Sequence, residues 1–440
     1  MYIYNTGFYF VTTNDFFQMD ISSHAQSFEF SINEFNSVFS PNYMFNHDLN
    51  TILGLVEKDI HLDLKIKAYV NKYISVSRSL HKLKAFFEGV NSGGVFYVIP
   101  FKKNLSSNFI IEAQSNLKKS PLPAKLKEFM DNYEIGGVES KSLGNKKKKI
   151  GESFKAKRVC RFCNNTRHTE LTQKGSYKKE AHAISESLGN KKIILNEECD
   201  ACNEFFSVGI ENDIDLYLKF YTTFFKTKTK DNKIPKIKGS NFVFSSCEKE
   251  LQESIEREYG IKIDHVLMKL PNNNEEIITD EKRINVDLDF GKKITYQNIY
   301  KALAKFSISV IDTEYVKKLE KTIEWISNKD LFFERLPDVM LLKNFFENYH
   351  EPALILYIRK SYDKNLPFLV GQFYFNTMVY VFIVPTFNEN IEVDFSELAN
   401  YEKFMNVFKF FLKNGAWERI SFNKYIPIKF APNFNVSDDI

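Results

Sequence analysis

Two cysteine pairs, Cys160-x2-Cys163 and Cys199-x2-Cys202, constrain this chain more than any other feature. A two-residue gap lets both thiolates of a pair face one tetrahedral ion, and two such knuckles complete an S4 shell suited to zinc. The 35 residues between the pairs, Asn164 to Glu198, exceed a simple zinc ribbon, so a further unit must fold between the knuckles. Neither pair follows a strand in a thioredoxin-like βαβ context, which argues against a redox role. Cys247, the fifth cysteine, reads as a core thiol of the following region.

Composition excludes several classes. The chain of 440 residues is 43% apolar and 26% charged, which suits folded domains rather than a disordered chain. Its longest apolar runs, such as Met378 to Pro385, cover about a third of the roughly 20 residues a membrane helix needs, so no membrane partner is expected. No basic segment precedes an apolar stretch at the N-terminus, so the expected location is the cytoplasm, where cysteines serve as ligands or free thiols. The formal net charge is only +4, which excludes a uniform polycation. The charge is unevenly placed, however. Residues 141–240 hold 22 basic and 12 acidic side chains, whereas the other 340 residues hold 38 and 44. A basic block in a mildly acidic chain points to one region that meets a polyanion.

The expected architecture is α+β and multidomain, with mixed α/β domains at residues 1–140 and 240–440 on either side of a cysteine-bearing domain at 150–225. In the first, Phe8 to Thr13 and the alternating Phe28, Phe30 and Ile32 read as strands, Glu57 to Glu88 as helical, and Val95 to Pro100 as a buried strand. A short helix opening at Pro121 and Pro123 should end near Gly136-Gly137. Lys146–Lys149 and Lys226–Lys238 read as solvated basic linkers. In the last domain, Thr295–Val310 and Thr313–Asn328 read as helices. Ala353–Ile358, Phe368–Phe375 and Met378–Val384 read as strands, the last two joined through Asn376-Thr377, and Glu397–Leu412 as an amphipathic helix. The hexapeptide SLGNKK, at 142–147 and 187–192, is too short to be a repeat.

Between the knuckles stand Glu180-Ala181-His182-Ala183-Ile184, Leu188-Gly189-Asn190 and Asn196, with Asn203 directly after Cys202. Over residues 159–220 the chain resembles the four-cysteine, zinc-bearing branch of the HNH, or ββα-metal, endonucleases. That family carries a CxxC knuckle, a strand ending in a histidine, a loop with an Asn, and a second CxxC followed by Asn or His at a helix start. The resemblance implies a central zinc-stapled ββα-metal domain with an H-N-N triad. His182 would be the general base, Asn196 would orient its loop, and Asn203 would ligate a catalytic Mg²⁺ or Mn²⁺. The chemistry suits these residues: an imidazole titrates near neutrality, and a divalent cation stabilises charge developing on phosphorus and on the leaving oxygen.

The sequence departs from the family pattern twice. The position before the histidine, often a metal-binding Asp, Glu or His, is Ala181, with Glu180 the nearest substitute ligand; the proline usual after the histidine loop is Ser185. Lys157, Arg158, Arg161, Arg167, Lys178, Lys179, Lys191 and Lys192 are the expected phosphate contacts, able to hold a backbone without reading bases. The implied function is DNA phosphodiester hydrolysis, duplex DNA being the partner, in a bacterial restriction or anti-phage setting. A zinc-dependent nucleic-acid binding module decayed at Ala181, and an RNA-cleaving nuclease, are the alternatives. The flanking domains leave room for a homo-oligomer or a regulatory partner.

Overall fold

A computed structural model describes residues 7–20, 38–39, 43–73, 79–101, 105–120, 122–139, 143, 146–164, 176–228, 233–246, 249–259, 265–269, 283–343, 348–408 and 415–437. Phe28, Phe30, Ile32, Arg167, His168 and Cys247 lie outside the described residues. The chain is mixed α/β and divides into two compact units, residues 1–135 and 136–440. Among the described residues, no helix is long and apolar enough to cross a membrane.

The first unit is a five-stranded antiparallel sheet in the order Phe16–Asp20, Gly7–Val11, Val95–Phe101, Thr51–Glu57, Tyr43–Asn46. Each central strand alternates its side chains between two cores. Phe8 and Phe10 face one with Phe96 and Val98, while Tyr9 and Val11 face the other with Tyr97 and Ile99. The helical span expected over Glu57–Glu88 is two helices, Ile60–Tyr73 and Ser79–Glu88, and its first residue belongs to a strand. They bury Ile66, Val70, Leu80 and Leu83 against the first core.

The chain leaves this unit within the strand Tyr133–Glu139, so the glycines expected to end a helix sit inside a strand instead. Gly137 has φ +127°, and a Cβ there would stand 2.1 Å from the Leu354 carbonyl oxygen. Only glycine fits that approach. This strand edges a six-stranded sheet that continues through Tyr349–Arg359, Leu369–Asn376, Met378–Ile383, Val339–Lys343 and Trp417–Ile420. The predicted strands 353–358, 368–375 and 378–384 are all in it. Asn376, at φ +50°, makes the tight turn between two of them.

Leu369–Asn376 and Met378–Ile383 are buried at every position. A strand with no polar face must be covered on both sides. The helix Tyr296–Val310 supplies cover from the apolar core, with 13 of its 15 residues buried, Lys301 and Lys305 among them. The Lys301 ammonium bonds the carbonyls of Asn328 and Leu331, each at 2.8 Å, and lies 4.4 Å from the Phe332 ring centre. Burial pulls its pKa down to about 8.

Residues 150–225 and 240–440, expected as separate domains, belong to the same compact unit. Ile150, Ala183, Ile184, Leu188, Leu195, Phe206 and Ile214 share a continuous apolar core with Ile299, Leu303 and Phe306. The helix 296–310 thus supplies part of the core on which residues 150–225 pack.

Candidate functional site

The segment between the cysteines is built on a three-stranded sheet of very short strands. Lys148–Ile150 pairs in parallel with Ile193–Leu195, which pairs antiparallel with Ala181–His182. Lys148 and Lys149, expected in a solvated linker, are therefore strand residues. The chain turns between Ala181–His182 and Ile193–Leu195 on Asn190. Its buried amide donates to the carbonyls of Ile184 and Ile193 and accepts the Ile193 N–H at 2.9 Å. Gly189 beside it takes φ +90°. Leu-Gly-Asn is thus a structural turn that holds the histidine loop closed.

From Leu195 the chain runs through Asn196 and two buried glutamates to Cys199, the N-cap of the helix Asp200–Val208. Asp200 opens that helix, where the N-terminal dipole favours a carboxylate. It accepts the backbone N–H groups of Lys178 and Lys179 at 3.0 and 2.9 Å. The histidine strand is thereby tied to the cysteine helix.

Sulfur atoms of Cys160, Cys163, Cys199 and Cys202 all lie within 4.8 Å of one another. A tetrahedral ion with Zn–S bonds of about 2.3 Å would separate its sulfurs by about 3.8 Å, and Cys163 and Cys199 stand 3.7 Å apart. The Cys199 N–H points to the Cys160 sulfur at 3.4 Å, and Asn164 turns back at φ +56° to donate to the Cys160 carbonyl. Hydrogen bonds from Cys160 and the other two thiols pull the Cys199 pKa down. Hydrogen bonds with Cys163 and Cys199 push Cys160 up, and those with Cys160, Cys163 and Cys199 push Cys202 up. Four converging soft donors fit a structural metal.

His182 is mostly buried. Its backbone N–H and C=O stand in register with Ile194, and its Nε2 lies 3.6 Å from the Glu186 carboxylate. Its Nδ1 is buried with no hydrogen-bond partner among the described residues. Burial lowers its pKa despite the pull of Glu186 and Glu180, which keeps the imidazole neutral and able to accept a proton. Ala181 points into the core, whereas Glu180 is exposed and ion-paired with Lys147, which holds its carboxylate below the usual range. Asn196 is buried and donates its backbone N–H to the Ile150 carbonyl; Asn203 lies half-buried in the first turn of the cysteine helix. Among the described residues, no hydrogen bond joins either asparagine side chain to His182.

The carboxylate that does meet His182 is Glu186, a neighbour four residues along that the motif gave no place. More of the polar support came from residues with no motif at all. Lys305, with no exposed side-chain surface, lies 2.8 Å from Glu211, 3.1 Å from Glu198, and donates to the His182 carbonyl at 3.2 Å. One buried ammonium thereby joins the residue before Cys199, the helix Ile210–Tyr217 and the histidine strand. Burial pushes the Glu198 pKa up to about 7 against the pull of Lys305, while its two carboxylates keep Lys305 protonated. The adjacent acids Glu197-Glu198 ahead of Cys199 were the available signal, since two carboxylates in a tight buried loop require cations.

Arg161 is corrected from phosphate contact to structural residue. It is buried, and its guanidinium is fully engaged by Glu197 at 2.8 Å, the carbonyls of Ile308 and Ile311, and the Thr313 hydroxyl. Burial would raise the Glu197 pKa, but the Glu152 amide and Arg161 outweigh it and hold the carboxyl low. Lys192 is likewise committed, to Glu351 at 2.7 Å, and Arg158 caps the carbonyls of Glu152 and Ser153. Lys157, Lys178 and Lys179 are exposed, and Lys191 is half-buried. Arg161→Ala should therefore lower stability by about 3 kcal/mol, as loss of a buried ion pair does. Denaturant unfolding measures the effect.

No protein family, curated protein or solved structure matches this chain. The functional reading therefore rests on the residues themselves.

Proposed function

We propose that the protein is a metal-dependent endonuclease of the HNH type that hydrolyses DNA phosphodiester bonds. The observation that carries this reading is an order of elements joined around one thiol cluster. A strand ends in a half-shielded neutral histidine, an antiparallel strand follows, and a helix then begins on the second cysteine pair. In this reading Cys160, Cys163, Cys199 and Cys202 hold a zinc ion whose filled shell leaves it structural. His182 accepts the proton of the attacking water, with Glu186 beside it to stabilise the imidazolium that results. Glu180 and Asn203 would be the oxygen donors to Mg²⁺ or Mn²⁺, which when bound would supply charge stabilisation at the scissile phosphate. The exposed Lys157, Lys178 and Lys179 offer backbone contacts without base specificity.

The test uses purified full-length protein with supercoiled plasmid and, separately, with RNA, each with Mg²⁺ and with EDTA, alongside metal analysis. The expected results are one zinc per chain and nicked or linear plasmid only with Mg²⁺. Cleavage of RNA alone would replace the substrate. Zinc with no cleavage of either would leave a binding module and overturn the proposal.

A further inference from the structure

Away from the histidine, a cavity of about 300 Å³ opens between the helices Ile210–Tyr217 and Lys219–Phe224 and the short strand Ile237–Lys238. That volume lies at the lower end of the range of about 300–1,000 Å³ for small-molecule sites. Its lining is chemically divided. Lys219, Lys236, Lys238 and Lys292 are among the residues that line it, and among the described residues none of the four is in an ion pair. Leu216, Pro235, Ile237 and Phe290 give it an apolar wall.

Asp215 is the one acid in the lining. Its Oδ2 accepts from the Ser185 hydroxyl at 3.3 Å, Ser185 and Ser187 share a hydrogen bond of 2.8 Å, and Oδ1 is buried with no partner among the described residues. Burial pushes this carboxyl up to about 7, so near neutral pH it is about half ionised beside the four lysines. Four basic side chains against one acid give the cavity a positive lining, which favours an anion.

We propose that this cavity binds a nucleoside phosphate, either a free nucleotide or the terminal nucleotide of a strand. The ammonium groups take the phosphate as point charges, and the apolar wall takes the base or sugar. The proposal does not depend on cleavage chemistry.

Calorimetric titration of the full chain in EDTA, with adenosine and thymidine 5′-monophosphates, ATP and a 5′-phosphorylated hexanucleotide, tests it. The same hexanucleotide with a 5′-hydroxyl is the control. At least one phosphorylated probe should bind with Kd of about 0.1 mM or tighter, and the control should not match it. The double variant Lys236→Glu, Lys292→Glu changes exposed residues and should keep its fold by circular dichroism. It should lose binding by tenfold or more, whereas His182→Ala should bind as wild type. A response to mononucleotides identifies a free ligand, and a response to the hexanucleotide alone identifies a strand end. Absence of binding by every probe, binding that survives charge reversal, or loss of binding in His182→Ala would each overturn the proposal.

Discussion

His182→Ala should abolish Mg²⁺-dependent cleavage of plasmid DNA, with a rate loss of about 10²–10⁴, the range for removing a positioned general base. The fold should survive, because the imidazole makes no hydrogen bond among the described residues: Nδ1 is unpartnered and Nε2 stands 3.6 Å from Glu186. What holds the strand is backbone, through the register with Ile194 and the Lys305 contact to the His182 carbonyl. Alanine keeps both. Zinc content and thermal unfolding should therefore match the wild type, while single-turnover cleavage falls. Glu186→Gln should give a smaller loss, since it removes the charge that stabilises the imidazolium and leaves the base in place. Cleavage by His182→Ala at the wild-type rate, with contaminating nuclease excluded, would end the HNH assignment.

The largest stability effect should come from Lys305→Met. Methionine fills a similar volume but leaves Glu198 and Glu211 without their cation in a site with almost no solvent access. Removing one partner of a buried ion pair costs about 3–5 kcal/mol, and two stranded carboxylates put this case at the upper end. The loss should be greatest at alkaline pH. Glu198 is pushed up to about 7 by burial even with Lys305 pulling it down; without that cation the folded chain holds the proton more tightly still, so the variant goes on losing stability as pH rises beyond the range in which the wild type does. Adding Glu198→Gln to Lys305→Met should recover part of the loss. Denaturant unfolding of the single and double variants measures it; an unchanged midpoint in Lys305→Met would show that the three groups are not coupled.

The parts of the molecule legible in the sequence were those encoded by local pattern. The continuous apolar runs at 368–375 and 378–384 announce central strands, and the two CxxC spacings announce the thiol cluster that the fold assembles. Long-range pairing was not legible. Lys148–Ile150 looks like a charged linker, and its strand character depends on a backbone 45 residues away at Ile193–Leu195. Arg161 looks like a phosphate contact because its partners Ile308, Ile311 and Thr313 are about 150 residues away in the chain. Lys301 and Lys305 lie in a segment whose apolar period marks a helix, yet nothing local tells that every side of it would be enclosed. Local pattern marks the histidine, whereas the buried charges that support its strand have no local signature.

The enclosed helix 296–310 also bears on how such a chain can change over time. It packs on the cysteine-bearing segment, through Lys305 and through Arg161, which bonds the carbonyls of Ile308 and Ile311, and it contributes to the core of the large sheet. A nuclease cassette that folds by itself can be exchanged between proteins as an intact piece. Here excision at residues 150 and 225 would uncover a helix with two lysines and no water-facing side, so the cysteine segment and the sheet behind it are bound to be inherited together, and substitutions in either constrain those tolerated in the other.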